Sequence, residues 1–429
     1  MSRAAADILI VGGGPAGLAA ASAAARHGGL SVTILDNNPF FGGQIWRPQT
    51  GIARSARARR LFKEIDEKAV TIIRNAEVFA AEADDRLIAQ TPAGRIDLKF
   101  EQLVLATGAR ERFLPFPGWA LPNVMGAGGL QALVKCGLNV AGKRVVVAGT
   151  GPLLLAVGEY LRSKGALVAA IVEQANSASV YRFARGMLRS PAKLFQAAAL
   201  RAKLIGIPYL ADSWVTAAEL ARSPIRNGFA PDASGREGTL SVMFSRKGKP
   251  ETIECDYLAC GYHLVPNIEL AGLLGCEVVD GHVAADEFQK TSIPNIFCAG
   301  EPTGIGGVEK ALIEGEIAGL AASGHKDKAS VLLPRANEAR RFADSLNAAF
   351  ALRDELKTLA DDSTIVCRCE DVQYGKLKEF DNWRSAKLQA RCGMGPCQGR
   401  VCGAAAEFLF GWKTGSVRPP IFPVRSEDL

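Results

Sequence analysis

Asp7-Ile8-Leu9-Ile10-Val11-Gly12-Gly13-Gly14-Pro15-Ala16-Gly17, followed by the Ala-rich run Leu18 to Arg26 and by Ser31-Val32-Thr33-Ile34-Leu35-Asp36, decides the fold class of this chain. Ile8 to Val11 is a continuous apolar run, the pattern of a strand buried on both faces of a parallel sheet. Gly12 permits a sharp turn, Gly14 lets a pyrophosphate approach the backbone, and Gly17 lets the helix pack close to the strand. The helix amino terminus that they open attracts phosphate. Asp36, 19 residues beyond Gly17, ends the returning strand where a carboxylate accepts ribose hydroxyls. Strand, turn, helix, strand and acid in register predict a dinucleotide-binding βαβ unit.

A second unit of the same kind begins at Lys143-Arg144-Val145-Val146-Val147-Ala148 and turns at Gly149-Thr150-Gly151-Pro152-Leu153-Leu154, with Glu173 again 19 residues beyond Leu154. Leu154 replaces the third glycine, so this helix is expected to stand further from its strand. The residues leave two outcomes open for NAD(H): retained binding, or a Rossmann-like domain that has lost it. Two more buried strands, Leu103 to Leu105 and Ile296 to Cys298, end in the small-residue turns Ala106-Thr107-Gly108 and Ala299-Gly300-Glu301. Gly304 to Val308 then opens a helix over Glu309 to Ala322, whose positive end can face an anionic ring oxygen.

With 429 residues the chain has length for two to four domains at roughly 100 to 200 residues each. Its 48% apolar and 22% charged residues exclude a disordered or collagenous chain. A net charge of +7 spread over 51 basic and 44 acidic residues gives no footprint for nucleic acid. The one basic run, Ala53 to Arg60, reads as a solvated helix face. Gly12 to Pro15 interrupt the N-terminal apolar stretch, so neither a secretory signal nor a transmembrane segment is expected, and the chain reads as soluble and cytoplasmic.

Five of the ten cysteines (Cys367, Cys369, Cys392, Cys397 and Cys402) fall in the last 63 residues. Crowding of this kind points to a metal site sooner than to a disulfide framework. Four thiolates suffice for one [2Fe-2S] cluster, with backbone N–H groups of the Gly-rich turn and Arg368, Arg391 and Arg400 offsetting its charge. Spacing leaves Cys392 and Cys397 as equal choices, and a structural Cys₄ zinc site is the rival. Cys136, Cys255, Cys260, Cys276 and Cys298 read as buried thiols, with Cys255 and Cys260 facing opposite sides of one strand. His263 reads as a packed loop residue, and no motif places a catalytic acid or base. Residues 326–364 read as a helical connector, with Phe342, Leu346, Ala349, Phe350 and Leu356 at helical spacing.

Gly12 to Gly17, Asp36, Ala106-Thr107-Gly108 and Gly300-Glu301 resemble the FAD motifs of the two-dinucleotide-binding-domain flavoproteins. The resemblance implies the fold class: α/β, with two Rossmann-like dinucleotide-binding domains in glutathione-reductase-like order plus a small C-terminal Cys-rich [2Fe-2S] domain. It implies FAD held by Gly12, Gly14, Pro15, Ala16, Gly17, Asp36, Asn37, Gly43, Gln44, Val78, Thr107, Gly108, Gly300, Glu301 and Val308. Asp36 would meet the adenosine ribose, Glu301 the ribityl chain in place of the usual aspartate, and Val308 the pyrimidine edge. Gln44, Trp46 and Arg47 could line the flavin. Disulfide reductases of this class carry a redox cysteine pair where this chain has Gly42-Gly43-Gln44 or the single Cys136, so disulfide reduction is not expected.

The run Gly393 to Arg400 resembles the [2Fe-2S] domain related to the bacterioferritin-associated ferredoxin, which assigns Cys367, Cys369, Cys397 and Cys402 as ligands and leaves Cys392 spare. The order of parts is similar to the FAD-containing subunit shared by opine oxidases, hydroxyproline dehydrogenases and hydrogen cyanide synthase. That resemblance implies a split FAD domain (1–112 and 256–325), a second Rossmann-like domain (113–255), the connector (326–364), a [2Fe-2S] domain (365–412) and a tail (413–429). It implies a hetero-oligomer with a second flavoprotein subunit of amino-acid-oxidase type, and room for a small third chain. Two alternatives remain, a stand-alone NADH-dependent reductase and a non-enzymatic, cluster-bearing flavin scaffold.

Overall fold

The computed structural model describes residues 2–26, 29–46, 55–67, 70–82, 85–189, 191–221, 239–415 and 417–429. The chain divides into two compact units, one of residues 1–110, 265–345 and 416–429, the other of residues 111–264 and 346–415.

The first unit is built on a seven-stranded sheet. Thr71–Arg74, Val32–Asp36, Ser2–Val11, Gly94–Leu105 and Ile296–Cys298 run parallel, and Arg86–Thr91 and Glu77–Glu82 extend it antiparallel. Val32 to Asp36 are all buried, as an apolar strand covered on both faces requires. Helices Pro15–Ala25 and Gly307–Ala322 pack on one face with unusual closeness. A Cβ on Gly315 would lie 2.1 Å from the Ala16 carbonyl oxygen, and one on Gly319 2.1 Å from that of Ala20, so only glycine allows the contact. Neither helix is amphipathic because both are buried nearly all round.

Helix Ala56–Glu67 buries Ala58, Leu61 and Ile65 and turns its arginines outward, where Arg57 meets Glu309 at 2.9 Å and Arg60 meets Glu64 at 2.7 Å. This part of the basic run is therefore a solvated face; Ala53 and Arg54 lie outside the described residues, as does Arg47. The connector contains helices Lys326–Ser330 and Leu333–Ala349. The longer of the two buries the small Ala336, Ala339 and Ala343, not the larger Phe342 and Leu346 that the periodicity picks out.

The second unit holds a five-stranded parallel sheet in the order Tyr209–Leu210, Leu167–Glu173, Arg144–Gly149, Tyr257–Gly261 and Val124–Gly126. A three-stranded antiparallel sheet (Ser213–Leu220, Leu240–Arg246 and Lys249–Cys255) packs beside it. The sequence reading puts Cys255 and Cys260 on opposite sides of one strand. In fact the chain breaks at Asp256: Cys255 ends one strand, Cys260 lies in the next, and both face the same core. The Cys-rich segment has a core of its own, in which Val366, Leu377, Trp383, Ala386, Ala405 and Trp412 surround the buried cysteines.

Candidate functional site

In the first unit the glycine turn closes on itself. A Cβ at Gly12 (φ 111°) would lie 2.2 Å from the Ala106 carbonyl oxygen, and one at Gly17 would lie 1.8 Å from that of Gly12. These two positions admit no side chain, whereas a Cβ at Gly14 would meet only Gly43 Cα, at 3.9 Å. Gly14 is the N-cap of helix Pro15–Ala25, and no side chain caps that end. Its first-turn N–H groups therefore lack a side-chain acceptor and face the open side of Gly14, an arrangement that suits a phosphate.

Asp36 is buried, and its carboxylate accepts the Gly13 amide at 2.6 Å and the Asn38 amide at 2.7 Å. Asn37 beside it is exposed. Gly43 approaches Gly14 and Pro15, and the backbone of Gly300 approaches Ala16, so the residues expected from separated segments meet around one turn. Thr107 and Gly108 are tied to Asn267: the Thr107 hydroxyl donates to its carbonyl at 2.6 Å, and its own N–H donates to the Gly108 carbonyl at 3.0 Å. Gln44 is exposed, Val308 is half-buried at the start of helix Gly307–Ala322, and Val78 is buried in the sheet core that also holds Leu9 and Leu35.

Glu301 is mostly turned inward. Its two oxygens accept the amides of Gly306 (2.9 Å) and Gly307 (3.0 Å), and burial pushes its carboxyl above the ordinary range despite them. Nearby sits a group that sequence reasoning missed. Lys310 is buried and donates to the carbonyls of Gly300 and Gly304, each at 2.9 Å, and to Glu314 at 2.8 Å; Arg340 also reaches Glu314, at 3.2 Å. A buried charge must be paired, and here the pair pins the 300–304 turn. The available signal was Lys310 and Glu314 four residues apart on a helix whose other residues are mostly Ala, Leu, Ile and Gly.

In the second unit Glu173 is fully buried. It accepts the Gly151 amide at 2.7 Å, the Ala175 amide at 2.8 Å and the Thr150 hydroxyl at 2.9 Å, and burial pushes its pKa up to about 7. The chain's own segment Phe350 to Arg353 lies across this turn. Gln174 Nε2 donates to Thr150 Oγ1 (2.9 Å) and to the Ala351 carbonyl (3.0 Å), and Gln174 Oε1 accepts the Arg353 amide at 3.2 Å. The Phe350 carbonyl lies 2.6 Å from His263 Nε2, and the Phe350 ring stands edge-on to Phe183 with centroids 5.4 Å apart. His263 is thus a packed loop residue, and burial lowers its pKa. In doubly wound sheets the ligand crevice lies at the carboxyl ends of the strands, which is where this segment sits. Leu154 is fully buried against the same sheet.

The five C-terminal cysteines converge. The Sγ atoms of Cys367, Cys392 and Cys402 lie within 4.8 Å of one another, all buried. A cavity of about 330 Å³ is lined by Cys367, Arg368, Cys369, Cys397, Val401 and Cys402. The structure therefore gathers the four assigned thiols round one cavity, and it also brings Cys392, left spare by the resemblance, against two of them. Contacts with the Cys392 and Cys402 thiols lower the pKa of Cys367, and the Cys402 thiol lowers that of Cys397, while the same contacts raise those of Cys392 and Cys402. The turn that carries them needs left-handed backbone at Arg391, Gly393, Gln398 and Gly399, and Gly393 has the Trp383 ring where a Cβ would be. By contrast, burial raises the pKa of Cys255, Cys260 and Cys298, which leaves them as inert core thiols, whereas Cys136, expected to be buried, is exposed just after helix Ala127–Lys135.

Residues 6–315 match the family described as pyridine nucleotide-disulphide oxidoreductase. The chain is 30% identical to the A subunit of the opine oxidase of Rhizobium meliloti, over 99% of this chain and 87% of that one. It is 30% identical to the HcnB subunit of the hydrogen cyanide synthase of Pseudomonas protegens, over 92% and 89%. Among solved structures, the L-proline dehydrogenase of P. horikoshii superposes with a TM-score of 0.65 at 19% identity, covering 100% of this chain and 80% of the other, a likeness of fold. No helix among the described residues is long and apolar enough to cross a membrane. The chain belongs to the pyridine nucleotide-disulphide oxidoreductase family and is an oxidoreductase of the branch that includes the opine oxidase A subunits.

Proposed function

We propose that the chain is the FAD- and [2Fe-2S]-bearing electron-transfer subunit of a heteromeric dehydrogenase that oxidises a C–N bond of an amino acid, imino acid or opine. Family membership implies FAD. The open face of Gly14, the uncapped helix behind it and the buried Asp36 carboxylate suit its pyrophosphate and ribose. Thr107, Gly108, Gly300, Glu301 and Val308 would then meet the flavin half, with Lys310 holding the 300–304 turn in place. Bound FAD takes up electrons in pairs or singly, whereas a [2Fe-2S] cluster passes one at a time, so together they join a two-electron substrate to a one-electron acceptor.

The observation that carries this reading is the thiol-lined cavity. Four thiols line one cavity, the number that holds a [2Fe-2S] cluster. The tighter group of Cys367, Cys392 and Cys402 would suit a single ion, but Cys392 does not line the cavity. We therefore keep Cys367, Cys369, Cys397 and Cys402 as ligands of a cluster. The stand-alone NADH reductase is disfavoured by Phe350 to Arg353, which cover the second turn. The opine oxidase and hydrogen cyanide synthase relatives are themselves subunits, which supports a partner here, and an amino-acid-oxidase-type flavoprotein supplies the substrate site.

The test is dye reduction across a panel of opines, proline derivatives and glycine, by the full chain alone and coexpressed with such a partner. Activity confined to the complex is expected. Full turnover by the isolated chain would remove the need for a partner and with it this reading.

A further inference from the structure

Cys392 does not line the cluster cavity, yet a second arrangement of thiols closes on it. Its Sγ and those of Cys367 and Cys402 lie within 4.8 Å of one another, and sulfurs bound about 2.3 Å from a single metal ion stand roughly 4 Å apart. Three separate elements bring them there. Cys367 ends strand Ile365–Cys367, Cys402 opens helix Cys402–Phe410, and Cys392 sits between Arg391 and Gly393, both in left-handed backbone. The thiols of Cys392 and Cys402 both hydrogen-bond to Cys367, which also accepts the amides of Glu370 and Gly393.

The surroundings of this group differ from those of the other two thiols. Cys367, Cys392 and Cys402 belong to the apolar core formed with Trp383, Ala386 and Ala405, whereas Cys369 is exposed and Cys397 half-buried. No histidine or carboxylate joins the three sulfurs among the described residues. Donors that are all sulfur select soft ions, and of these zinc almost always takes four ligands. Three thiolates in an apolar core leave no place for water to complete that number, and they match the trigonal coordination that monovalent copper accepts. We propose that in the cluster-free chain Cys367, Cys392 and Cys402 form a mononuclear site for monovalent copper. Binding releases thiol protons and transfers no electron. On the cluster ligands given above, Cys367 and Cys402 serve both sets, so copper and cluster exclude one another; the copper site itself does not depend on that assignment.

The full-length chain, stripped of iron under anaerobic reducing conditions and still holding its FAD, is titrated with Cu(I) against a chromophoric Cu(I) chelator. The first copper, about one per chain, should be held. Cys392→Ser removes a direct ligand and should weaken it by more than the roughly 10- to 100-fold that loss of an outer-shell partner costs, while iron and labile sulfide still load. Cys369→Ser should hold copper as the wild type does and fail to load the cluster. Copper added first should block loading of iron and sulfide in the wild type and not in Cys392→Ser, with FAD content as the check on folding. Copper held equally by the wild type and Cys392→Ser, or lost equally in Cys369→Ser, would overturn the proposal. If the wild type never loads iron and sulfide, the cluster reading falls and the copper titration still decides this site.

Discussion

Gln174→Ala tests whether the Phe350–Arg353 segment is clamped over the second glycine turn. The Gln174 side chain is 1% exposed and makes good hydrogen bonds to Thr150 Oγ1, to the Ala351 carbonyl and to the Arg353 amide, with a longer one of 3.4 Å to the Phe350 carbonyl. At a net 0.5 to 1.5 kcal/mol for each of the three good bonds, alanine should cost about 2 to 4 kcal/mol. Other contacts remain: His263 with the Phe350 carbonyl, and Arg353, whose guanidinium meets Asp212 at 2.9 Å and stacks 4.1 Å above Trp214. The segment should loosen locally and not unfold its unit. Hydrogen exchange followed by mass spectrometry should show the amides of 350–353 exchanging roughly a hundredfold faster, since 1.4 kcal/mol is a factor of about ten. The sheet strand Arg144–Gly149 should stay protected. Unchanged exchange at 350–353 would refute the clamp, and equal acceleration in both segments would show that Gln174 serves global stability instead.

Four more outcomes follow from the same geometry. Wild-type flavin should stay oxidised with NADH, and rapid bleaching would revive the reductase reading. Asp36→Ala strands the buried Gly13 amide and the half-buried Asn38 amide and removes the ribose acceptor, so FAD retained after gel filtration should fall by about tenfold or more; undiminished flavin would count against the register. Cys397→Ser should lose iron and keep FAD, whereas Cys392→Ser should keep both, and iron loss in the latter would move Cys392 into the ligand set. Glu173 has a folded pKa of about 7 against an ordinary 4.5, so the folded state holds the proton more tightly. That stability is full below pH 4.5 and is lost as pH rises to about 7, a decline of about 3 kcal/mol that Glu173→Gln should flatten in denaturant titrations.

Much of the site was legible because it is local in sequence. Gly12, Gly14, Gly17 and Asp36 are spaced by the geometry of one βαβ unit, so the strand, turn and helix that carry them could be read before their contacts. The thiol group was legible as a group for the same reason. Its internal order was not, because left-handed turns at Arg391 and Gln398 decide which thiols meet, and spacing does not reveal them. Long-range contacts were equally silent. Nothing near Gly149 announces that Phe350, 200 residues beyond Thr150, will have its carbonyl against that threonine. Lys310 escaped notice because an isolated lysine ordinarily reads as solvated, and only burial reveals its four partners. The same local rule misplaced Cys255 and Cys260, since five residues can hold a strand break as easily as a strand.

The central claim, one flavin and one iron–sulfur cluster on the same chain, is tested most directly by anaerobic dithionite titration of the purified full-length chain followed by visible absorbance. FAD accepts two electrons and a [2Fe-2S] cluster one, so reduction should be complete at about three electrons per FAD, with the cluster's absorbance bleaching as well as the flavin's. An end point at about two electrons, with zinc and no labile sulfide in the protein, would contradict the account.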